Sequence, residues 1–355
     1  MSFQGAVEVT GCRVLVNGAG PAALASITRL LDSGALVTVI GADVSATVSD
    51  LASRSLITLI RRPLIIEDLD QAALLVTATG DPDQDQQARD LARRQGLLAT
   101  SARSTARPAP RPPGGRVILV GGGPGDPGLL TIAGLDAIRQ AEVIICDRLA
   151  PLAVLDQARP DALVIDVAKI PRGEFTPQER INRLLVEHAQ TGRTVVRFKG
   201  GDNFVFGRGG EEWQACAAAG IPVTVIPGVS SAIAGPALAG IPLTHRQLTQ
   251  GFTVISGHAA PDDPTSTLDW SALARSNTTL VIMMGVATLG AIAAKLITEG
   301  LDNQTPAITV ADAGLPSQLI VRGTLADIAD RNHDALIKPP AITVIGAVAG
   351  FRPEP

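Results

Sequence analysis

The segment RVILVGGGPGDPGLLTIAGLDAIRQAEVIICD, residues 116–147, decides the fold of this chain. It begins with the apolar run RVILV, passes through a loop of glycine and proline, continues in a helical pattern and ends on a second apolar run, EVIIC. Short continuous apolar runs are typical of strands that are covered on both faces of a parallel sheet. The segment therefore predicts a strand–loop–helix–strand unit.

Similar apolar runs recur along the chain. Strands are predicted at 13–18, 36–41, 74–79, 116–121, 142–147, 162–168, 194–200, 223–228, 252–257, 280–285, 307–312 and 341–346. Helical patterns such as PAALASITRLLDSG and TPQERINRLLVEHAQTG lie between many of them and end at or near a glycine, the residue that commonly stops helices. This alternation predicts an α/β fold with largely parallel sheets.

One segment has neither pattern. SARSTARPAPRPPGG, residues 101–115, is rich in proline and arginine, and we interpret it as an interdomain linker. It separates a Rossmann-like domain, residues 1–100, from a larger part of the chain. We divide that part at Pro227–Gly228 into a lobe of residues 116–227 and a lobe of residues 228–355.

Composition argues against several classes of protein. The net charge is -4, aromatic residues make up 3% and tyrosine is absent, which disfavours a nucleic-acid binder. Three widely spaced cysteines fit a reducing compartment and form no zinc motif, so we expect a cytoplasmic protein without a structural metal. The uncharged stretches 213–244 and 276–294 contain prolines or glycines, and we interpret them as buried strand–turn–helix units rather than membrane spans.

The first glycine loop, Gly18-x-Gly20-x-x-Ala23, follows a strand and precedes a helix. That context is the one in which backbone N–H groups approach the pyrophosphate of NAD, and Asp43 follows the next strand, where an acid would contact the ribose. The alternative is a Rossmann-like fold that no longer binds a nucleotide. The loop by itself does not separate these interpretations.

The second glycine loop also matches the dinucleotide pattern, as Gly123-x-Gly125-x-x-Gly128. Pro127 within it lacks an N–H group, so the loop offers fewer donors to a pyrophosphate. A tight loop of this kind suits a flat or sulfonium-bearing ligand, or it is a structural turn.

The third glycine loop is KGGDNFVFGRGGEE, residues 199–212. Gly200-Gly201 would let a ligand approach the backbone, and Asp202 places a carboxylate beside it. Arg208 suits the recognition of a carboxylate or phosphate. The alternative is a surface loop in which Arg208 is merely solvated. The apolar residues at 204–206 make us favour the binding role over this alternative.

Five ordered motifs carry a resemblance. VGGGPGDPGLLT (120–131), VIICDRLAP (143–151), KGGDNFVFGRGGEE (199–212), IPGVSSAIAGPALAGIPLTHR (226–246) and SGH (256–258) resemble the uroporphyrinogen-III C-methyltransferases of the tetrapyrrole methylase family. The resemblance covers roughly residues 116–350. It implies two α/β lobes with a cleft between them, usually in a homodimer, and S-adenosylmethionine (SAM) as methyl donor.

The resemblance also implies roles for individual residues. It implies SAM contacts at Pro124, Gly200, Gly201, Asp202, Val205, Ser230, Ser231, Met284 and Gly314. It implies Asp147 as proton acceptor and Lys169 as proton donor. The substrate, uroporphyrinogen III, is an octacarboxylate, so we expect it to bind the cations in or beside the motifs: Arg208, Arg148, Arg172 and Arg246. The visible departure is Asn203, where the family usually has proline, and we expect it to loosen the loop slightly.

Residues 13–100 resemble, more weakly, the precorrin-2 dehydrogenase domain of siroheme synthases, which uses NAD. The chain reads ATSARST where that domain carries a functional aspartate, and the helical segment that should follow is missing. We therefore expect a degenerate, structural domain, and we expect deletion of residues 1–105 to leave methylation largely intact. The alternatives are a bifunctional enzyme that also oxidises precorrin-2, with Asp81 or Asp83 supplying the carboxylate, and a non-catalytic nucleotide-binding or tethering domain. Whether the product enters siroheme or cobalamin biosynthesis stays open.

Overall fold

The computed structural model describes residues 7–101, 114–167 and 176–352. The chain divides into two compact units, one from residues 1–123 and 127–228 and the other from residues 124–126 and 229–355. The described residues form three five-stranded sheets with helices between the strands, which confirms the α/β class. Most of the proposed linker, together with Lys169 and Arg172, lies outside the described residues.

The first sheet is a Rossmann-like arrangement. It contains β1 (Arg13–Asn17), β2 (Leu36–Ile40), β3 (Thr58–Ile60), β4 (Leu74–Thr77) and β5 (Ala99–Ser101), with helices α1 (Leu24–Asp32), α2 (Ala46–Ser53) and α3 (Pro82–Arg94). All its strands are parallel, in the order β3-β2-β1-β4-β5. The order reverses between β1 and β4, which is where such sheets bind nucleotides.

The second sheet belongs to the same compact unit and is also fully parallel. It contains β6 (Arg116–Gly121), β7 (Val143–Cys146), β8 (Leu163–Asp166), β9 (Thr194–Lys199) and β10 (Val223–Ile226), with helices α4 (Ile132–Gln140), α5 (Gln178–Gln190) and α6 (Gly209–Ala218). The strand order is β10-β6-β9-β7-β8. Central β9 is buried along its whole length, including its charged residues Arg197 and Lys199.

The third sheet forms the second unit. It contains β11 (Phe252–Ser256), β12 (Thr279–Met283), β13 (Pro306–Ala311), β14 (Leu319–Thr324) and β15 (Ala341–Ile345), with helices α7 (Ser231–Leu238), α8 (Trp270–Arg275), α9 (Leu289–Thr298) and α10 (Ile328–Asp334). Only β11 and β12 pair in parallel, and the other three pairings are antiparallel. The expectation of largely parallel sheets is wrong here, because a short turn between β13 and β14 reverses the chain without a crossover helix.

One apolar core runs through both sheets of the first unit. Val16 and Ile27 of the Rossmann-like part share this cluster with Val154, Leu155 and Phe198 of the second part. Helix α1 packs against a short 3-10 helix, Leu152–Gln157. The two parts therefore bury apolar surface against each other, and the Rossmann-like part is more than a tethered appendage.

Polar contacts accompany this shared core. Both Asp166 carboxylate oxygens accept hydrogen bonds from Thr47, one from its backbone N–H at 3.0 Å and one from its hydroxyl at 2.9 Å. Arg148 lies 3.1 Å from Asp50 of α2, and each side chain is only 10% exposed. Arg29 of α1 forms a further ion pair with Asp156. These contacts define one orientation between the two sheets.

None of the helices in the described ranges is long and apolar enough to cross a membrane. The uncharged stretch 213–244 forms the end of α6, then β10 and α7, and the stretch 276–294 contains β12 and the start of α9. Both are the strand–turn–helix units that their glycines and prolines predict.

Removing the first sheet tests how far the second depends on it. We expect a chain that begins at residue 114 to melt at least about 5 °C below the full chain and to bind the apolar dye ANS, because Leu152, Val154 and Leu155 lose apolar cover worth about 1.5–3 kcal/mol per side chain. Calorimetry and dye fluorescence measure both effects.

The matched control is the full chain cut at an engineered protease site within residues 102–113, which breaks the connection and keeps the packing. The sequence motifs predict that deletion of residues 1–105 leaves methylation largely intact, and the packing adds that this deletion lowers stability. Equal melting of the truncated and full chains would contradict this loss of stability.

Candidate functional site

Four motifs meet at one edge of the second sheet. Parallel strands end at the same edge, so the loops after β6, β7, β9 and β10 lie side by side there. They carry, respectively, the glycines 121–123, Asp147, the segment Gly200–Asp202, and Pro227–Gly228. The fold thus brings together, from separate parts of the sequence, Asp147 and the predicted SAM residues Gly200, Gly201 and Asp202.

The glycines of these loops pack backbone against backbone. A Cβ on Gly228 would lie 2.2 Å from the Gly201 carbonyl oxygen, and one on Gly121 would lie 2.5 Å from the Gly228 nitrogen. Gly123 and Gly201 exchange two backbone hydrogen bonds, of 3.1 and 2.6 Å. A Cβ on Gly200 would lie 2.5 Å from the Leu149 carbonyl oxygen. The first requirement for glycine here is close packing of the loops, before any approach of a ligand.

Asp202 connects two of these loops. Its Oδ1 accepts backbone hydrogen bonds from Phe204 (2.8 Å) and Val205 (3.3 Å), and its Oδ2 accepts one from Gly228 (3.1 Å). The predicted SAM-binding carboxylate therefore also sets the conformation of the loop after β9 and its distance from the loop after β10.

Asn203 does not loosen its loop as expected. Its side chain is fully buried, and its Nδ2 donates to the carbonyl oxygens of Ile226 (2.8 Å) and Leu119 (3.3 Å). The amide replaces the stiffness of a proline by hydrogen bonds to the neighbouring strands β6 and β10.

Asp147 lies at the end of a buried chain of charges. Its Oδ1 is 2.7 Å from Nη2 of Arg197, and its side chain is 27% exposed. Arg197 Nε is 2.8 Å from Glu212 Oε1, and Lys199 Nζ is 3.0 Å from the same oxygen. Arg197, Lys199 and Glu212 are all buried. Two cations thus meet two carboxylates, one of which reaches the surface.

The pKa values of the two cations follow from this arrangement. Burial alone would lower the pKa of Arg197, but the carboxylates of Asp147 and Glu212 outweigh it and raise the pKa above its ordinary value. Burial and the charge of Arg197 together lower the pKa of Lys199, an effect that Glu212 opposes.

Sequence reasoning missed Arg197 and Glu212. The available signal was an arginine inside the apolar run TVVRFKG, since a charge in a doubly covered strand needs a buried partner. Arg197 and Glu212 lie 15 positions apart in the sequence, and their contact is decided by the packing of α6 on β9.

Arg208 is placed differently from the expectation. Its guanidinium forms two hydrogen bonds with Glu211, of 2.8 and 2.6 Å, and both side chains are 48% exposed. Phe204 and Phe206 are exposed too, and Phe204 stacks on Trp213. The apolar neighbours therefore do not exclude an exposed arginine, and the reasoning that used them is wrong.

The second unit contains the remaining predicted SAM residues. Pro124 belongs to a short segment that lies against the loop after β13, where a Cβ on Gly314 would lie 3.6 Å from the Cβ of Asp126. Ser230 is the N-cap of α7, and Ser231 is its first residue. Met284 follows β12 with φ 57° and is 48% exposed, and Arg246 is exposed.

Other candidate side chains have structural surroundings. Cys146 is fully buried, which raises the pKa of its thiol and suits a core residue. His245 packs its ring against Phe351. Within the ranges that the structure describes, no group of three or more His, Cys, Asp or Glu side chains could hold a metal ion.

A cavity of about 470 Å³ lies at the reversal point of the first sheet. Gly18, Gly20 and Asp43 line it, as the dinucleotide pattern predicts. A Cβ on Gly20 would meet no atom within 4 Å, so this glycine leaves open space at the loop. Asp81 is the N-cap of α3, with Oδ1 accepting from the backbone of Asp83 and Gln84.

Comparison with known proteins agrees with the motifs. Residues 116–329 match the family described as Tetrapyrrole (Corrin/Porphyrin) Methylases, and residues 6–108 match a family described as Putative NAD(P)-binding. The chain belongs to the tetrapyrrole methylases.

Similar proteins include a siroheme synthase of Neisseria meningitidis serogroup B, 48% identical over 67% of this chain and 49% of that protein. The siroheme synthase of Zymomonas mobilis is 46% identical over 68% of this chain and 51% of its own. The chain therefore spans about half the length of the curated relatives it matches.

A solved structure of uroporphyrin-III C-methyltransferase from Thermus thermophilus, complexed with S-adenosylhomocysteine, is also similar. It has a TM-score of 0.57 and 39% identity, and the match covers 66% of this chain and 99% of that one.

Asp202 offers a test of the loop geometry. We expect Asp202→Ala to lower the free energy of unfolding by about 1 kcal/mol, because three backbone N–H groups lose their acceptor and water can reach two of them. Urea denaturation measures the change. The matched control is Asp136→Ala on α4. The Asp136 side chain is 53% exposed, and its ion pair with Arg139 is long, at 3.5 Å. Equal stability of both variants would remove Asp202 from this structural role.

The first glycine loop offers a second test. A Cβ on Gly18 would lie 2.2 Å from the Ala78 carbonyl oxygen, whereas Gly20 faces open space. We therefore expect Gly18→Ala to lower the melting temperature clearly and Gly20→Ala to leave it nearly unchanged. Differential scanning calorimetry compares the pair, and the reverse order of stability would contradict the packing described between β1 and β4.

Proposed function

We propose that the chain transfers methyl groups from SAM to ring carbons of uroporphyrinogen III, giving precorrin-2 by way of precorrin-1. The observation that carries this proposal is the meeting of the glycine loop 121–123, the segment Gly200–Asp202 and Asp147 at one sheet edge, in a member of the tetrapyrrole methylases. The similarity to a C-methyltransferase complexed with S-adenosylhomocysteine supports SAM as the donor.

The described residues fit such a ligand chemically. Val205 of the first unit is an exposed apolar side chain that follows the Gly200–Gly201 loop, and Met284 of the second unit is exposed too. Each, taken by itself, is the kind of side chain that contacts an adenine ring or a methionine chain. Pro124, Ser230, Ser231 and Gly314 would supply further contacts. When bound, SAM supplies an electrophilic methyl group, and the protein aligns it with the pyrrole carbon and excludes water.

The substrate side of the proposal rests on charge. An octacarboxylate needs cations, and Arg246 is an exposed one. Arg208 and Arg148 are paired with Glu211 and Asp50, so each would exchange or share a partner when a substrate carboxylate binds. Lys169 and Arg172 would complete the set. We also propose a homodimer, and a cytoplasmic location because widely spaced cysteines suit a reducing compartment.

Methylation of a pyrrole carbon ends with loss of a proton. We assign Asp147 as the acceptor, since its carboxylate is partly exposed at the carboxyl edge of the sheet, and Lys169 as the donor. The carboxylate needs no metal for this step.

A second candidate function belongs to the first sheet. The cavity lined by Gly18, Gly20 and Asp43, and the match to a putative NAD(P)-binding family, favour retained binding of NAD. We do not extend this to oxidation of precorrin-2, because the segment that follows β4 and α3 lacks the acid of the dehydrogenase pattern. Asp81, a possible replacement, is occupied as a helix cap.

The main proposal is tested by Asp147→Asn. We expect the variant to bind S-adenosylhomocysteine as the wild type does and to lose about 10²–10⁴-fold in kcat, because an amide cannot accept the proton. Calorimetry measures binding, and absorbance with mass spectrometry follows the products from uroporphyrinogen III. A kcat within a few-fold of wild type would reduce Asp147 to a positioning role.

The second candidate is tested in the same assay with NAD added. We expect NAD to bind the full chain and Gly20→Ala to weaken it, with precorrin-2 accumulating in either case. Conversion to sirohydrochlorin at a rate comparable to methylation would establish the bifunctional alternative instead.

A further inference from the structure

Arg197 projects from the central strand β9 into the space between this strand and helix α6. Its neighbours on the same face of the strand are Val195 and Lys199, and the apolar cluster around them includes Leu119 and Ile145. Burying a guanidinium among such side chains is unfavourable unless its charge and donors are all satisfied.

The guanidinium is satisfied in three directions. Its Nε donates to Glu212 Oε1 at 2.8 Å, its Nη2 donates to Asp147 Oδ1 at 2.7 Å, and its Nη1 donates to the Ile145 carbonyl oxygen at 3.2 Å. A planar group with three partners in different directions has one orientation. The Arg197 guanidinium, held by its other partners, therefore fixes the position of the Asp147 carboxylate from the buried side of the sheet.

Glu212 fixes the other end of this arrangement. It is fully buried at the start of α6, and it accepts hydrogen bonds from Arg197, from Lys199 (3.0 and 3.1 Å) and from Gln178 (3.3 Å). An apolar core of the same volume would stabilise the sheet at least as well, so stability alone does not account for the four charges.

We infer that Arg197, oriented by Glu212, is a positioning residue that sets the Asp147 carboxylate at the angle and distance that its reaction requires. This inference rests on the proposed function, in which Asp147 accepts the proton. Arg197 does not touch the substrate in this role, since its side chain is only 2% exposed.

The two buried cations provide a matched comparison. Arg197→Met removes the cation that contacts Asp147, and Lys199→Met removes the cation that pairs with Glu212 and, within the described residues, not with Asp147. Each variant deletes one buried positive charge from the same cluster, so a purely structural cluster predicts similar losses from both. The positioning role predicts that only the Arg197 variant loses turnover.

The experiment measures kcat, KM for SAM and melting temperature of the full chain with uroporphyrinogen III as substrate. For Arg197→Met we expect kcat to fall on the order of 10²-fold, as a misplacement of about 1 Å produces, with KM for SAM unchanged. For Lys199→Met we expect kcat close to wild type even if the melting temperature falls. Arg197→Lys keeps the charge but has no fork, so its kcat should lie between those of the wild type and Arg197→Met.

Equal losses of kcat in Arg197→Met and Lys199→Met, or wild-type kcat in Arg197→Met, would overturn the positioning role. If Arg197→Met does not fold, Arg197→Lys decides: lowered kcat at an unchanged melting temperature supports the role, and wild-type kcat overturns it. A wild-type chain that methylates nothing overturns the proposed function itself, and that result is separate from the ranking of the variants.

Discussion

The candidate site depends on the contact of three glycine backbones at the carboxyl edge of the second sheet. Gly121 ends β6, Gly201 follows β9 and Gly228 follows β10. Their main chains approach so closely that a Cβ on Gly121 or on Gly228 would overlap a neighbouring backbone atom. This contact draws the loops after β6, β9 and β10 into one layer. Asp202 and Asn203 then secure the layer by hydrogen bonds to backbone groups of the same loops and strands.

The buried charges near this layer need a separate physical explanation. Arg197, Lys199 and Glu212 lie where an α/β sheet is normally apolar, and each is costly to bury alone. Together with Asp147 they are neutral, and only Asp147 reaches the surface. A rigid, buried cation behind a partly exposed carboxylate is an arrangement suited to a reacting group that must keep one geometry.

The Rossmann-like part contributes to the methylase part through packing. The shared apolar core and the Asp50–Arg148 ion pair hold α1 and α2 against the second sheet. Arg148 is the residue that follows Asp147 in the sequence. A nucleotide in the cavity beside Asp43 would lie in the same compact unit as the second sheet.

The sequence by itself determined the α/β class and the twelve strands that are continuous apolar runs, because burial on both faces of a sheet leaves a direct mark on composition. It did not indicate β3, β5 or β14. TLI and ATS are very short, and LIVRGT is interrupted by Arg322 and Gly323 and has no fully buried residue. The glycine-rich loop after a strand predicted a ligand-binding role for Asp202 from a local pattern, and the role of Asp147 was implied by the family resemblance alone. Only the tertiary structure decided the antiparallel pairing of the third sheet, the hydrogen bonds that bury Asn203, and the pairing of Arg197 with Glu212. These depend on which elements pack against each other, and a buried charge finds its partner across space rather than along the chain.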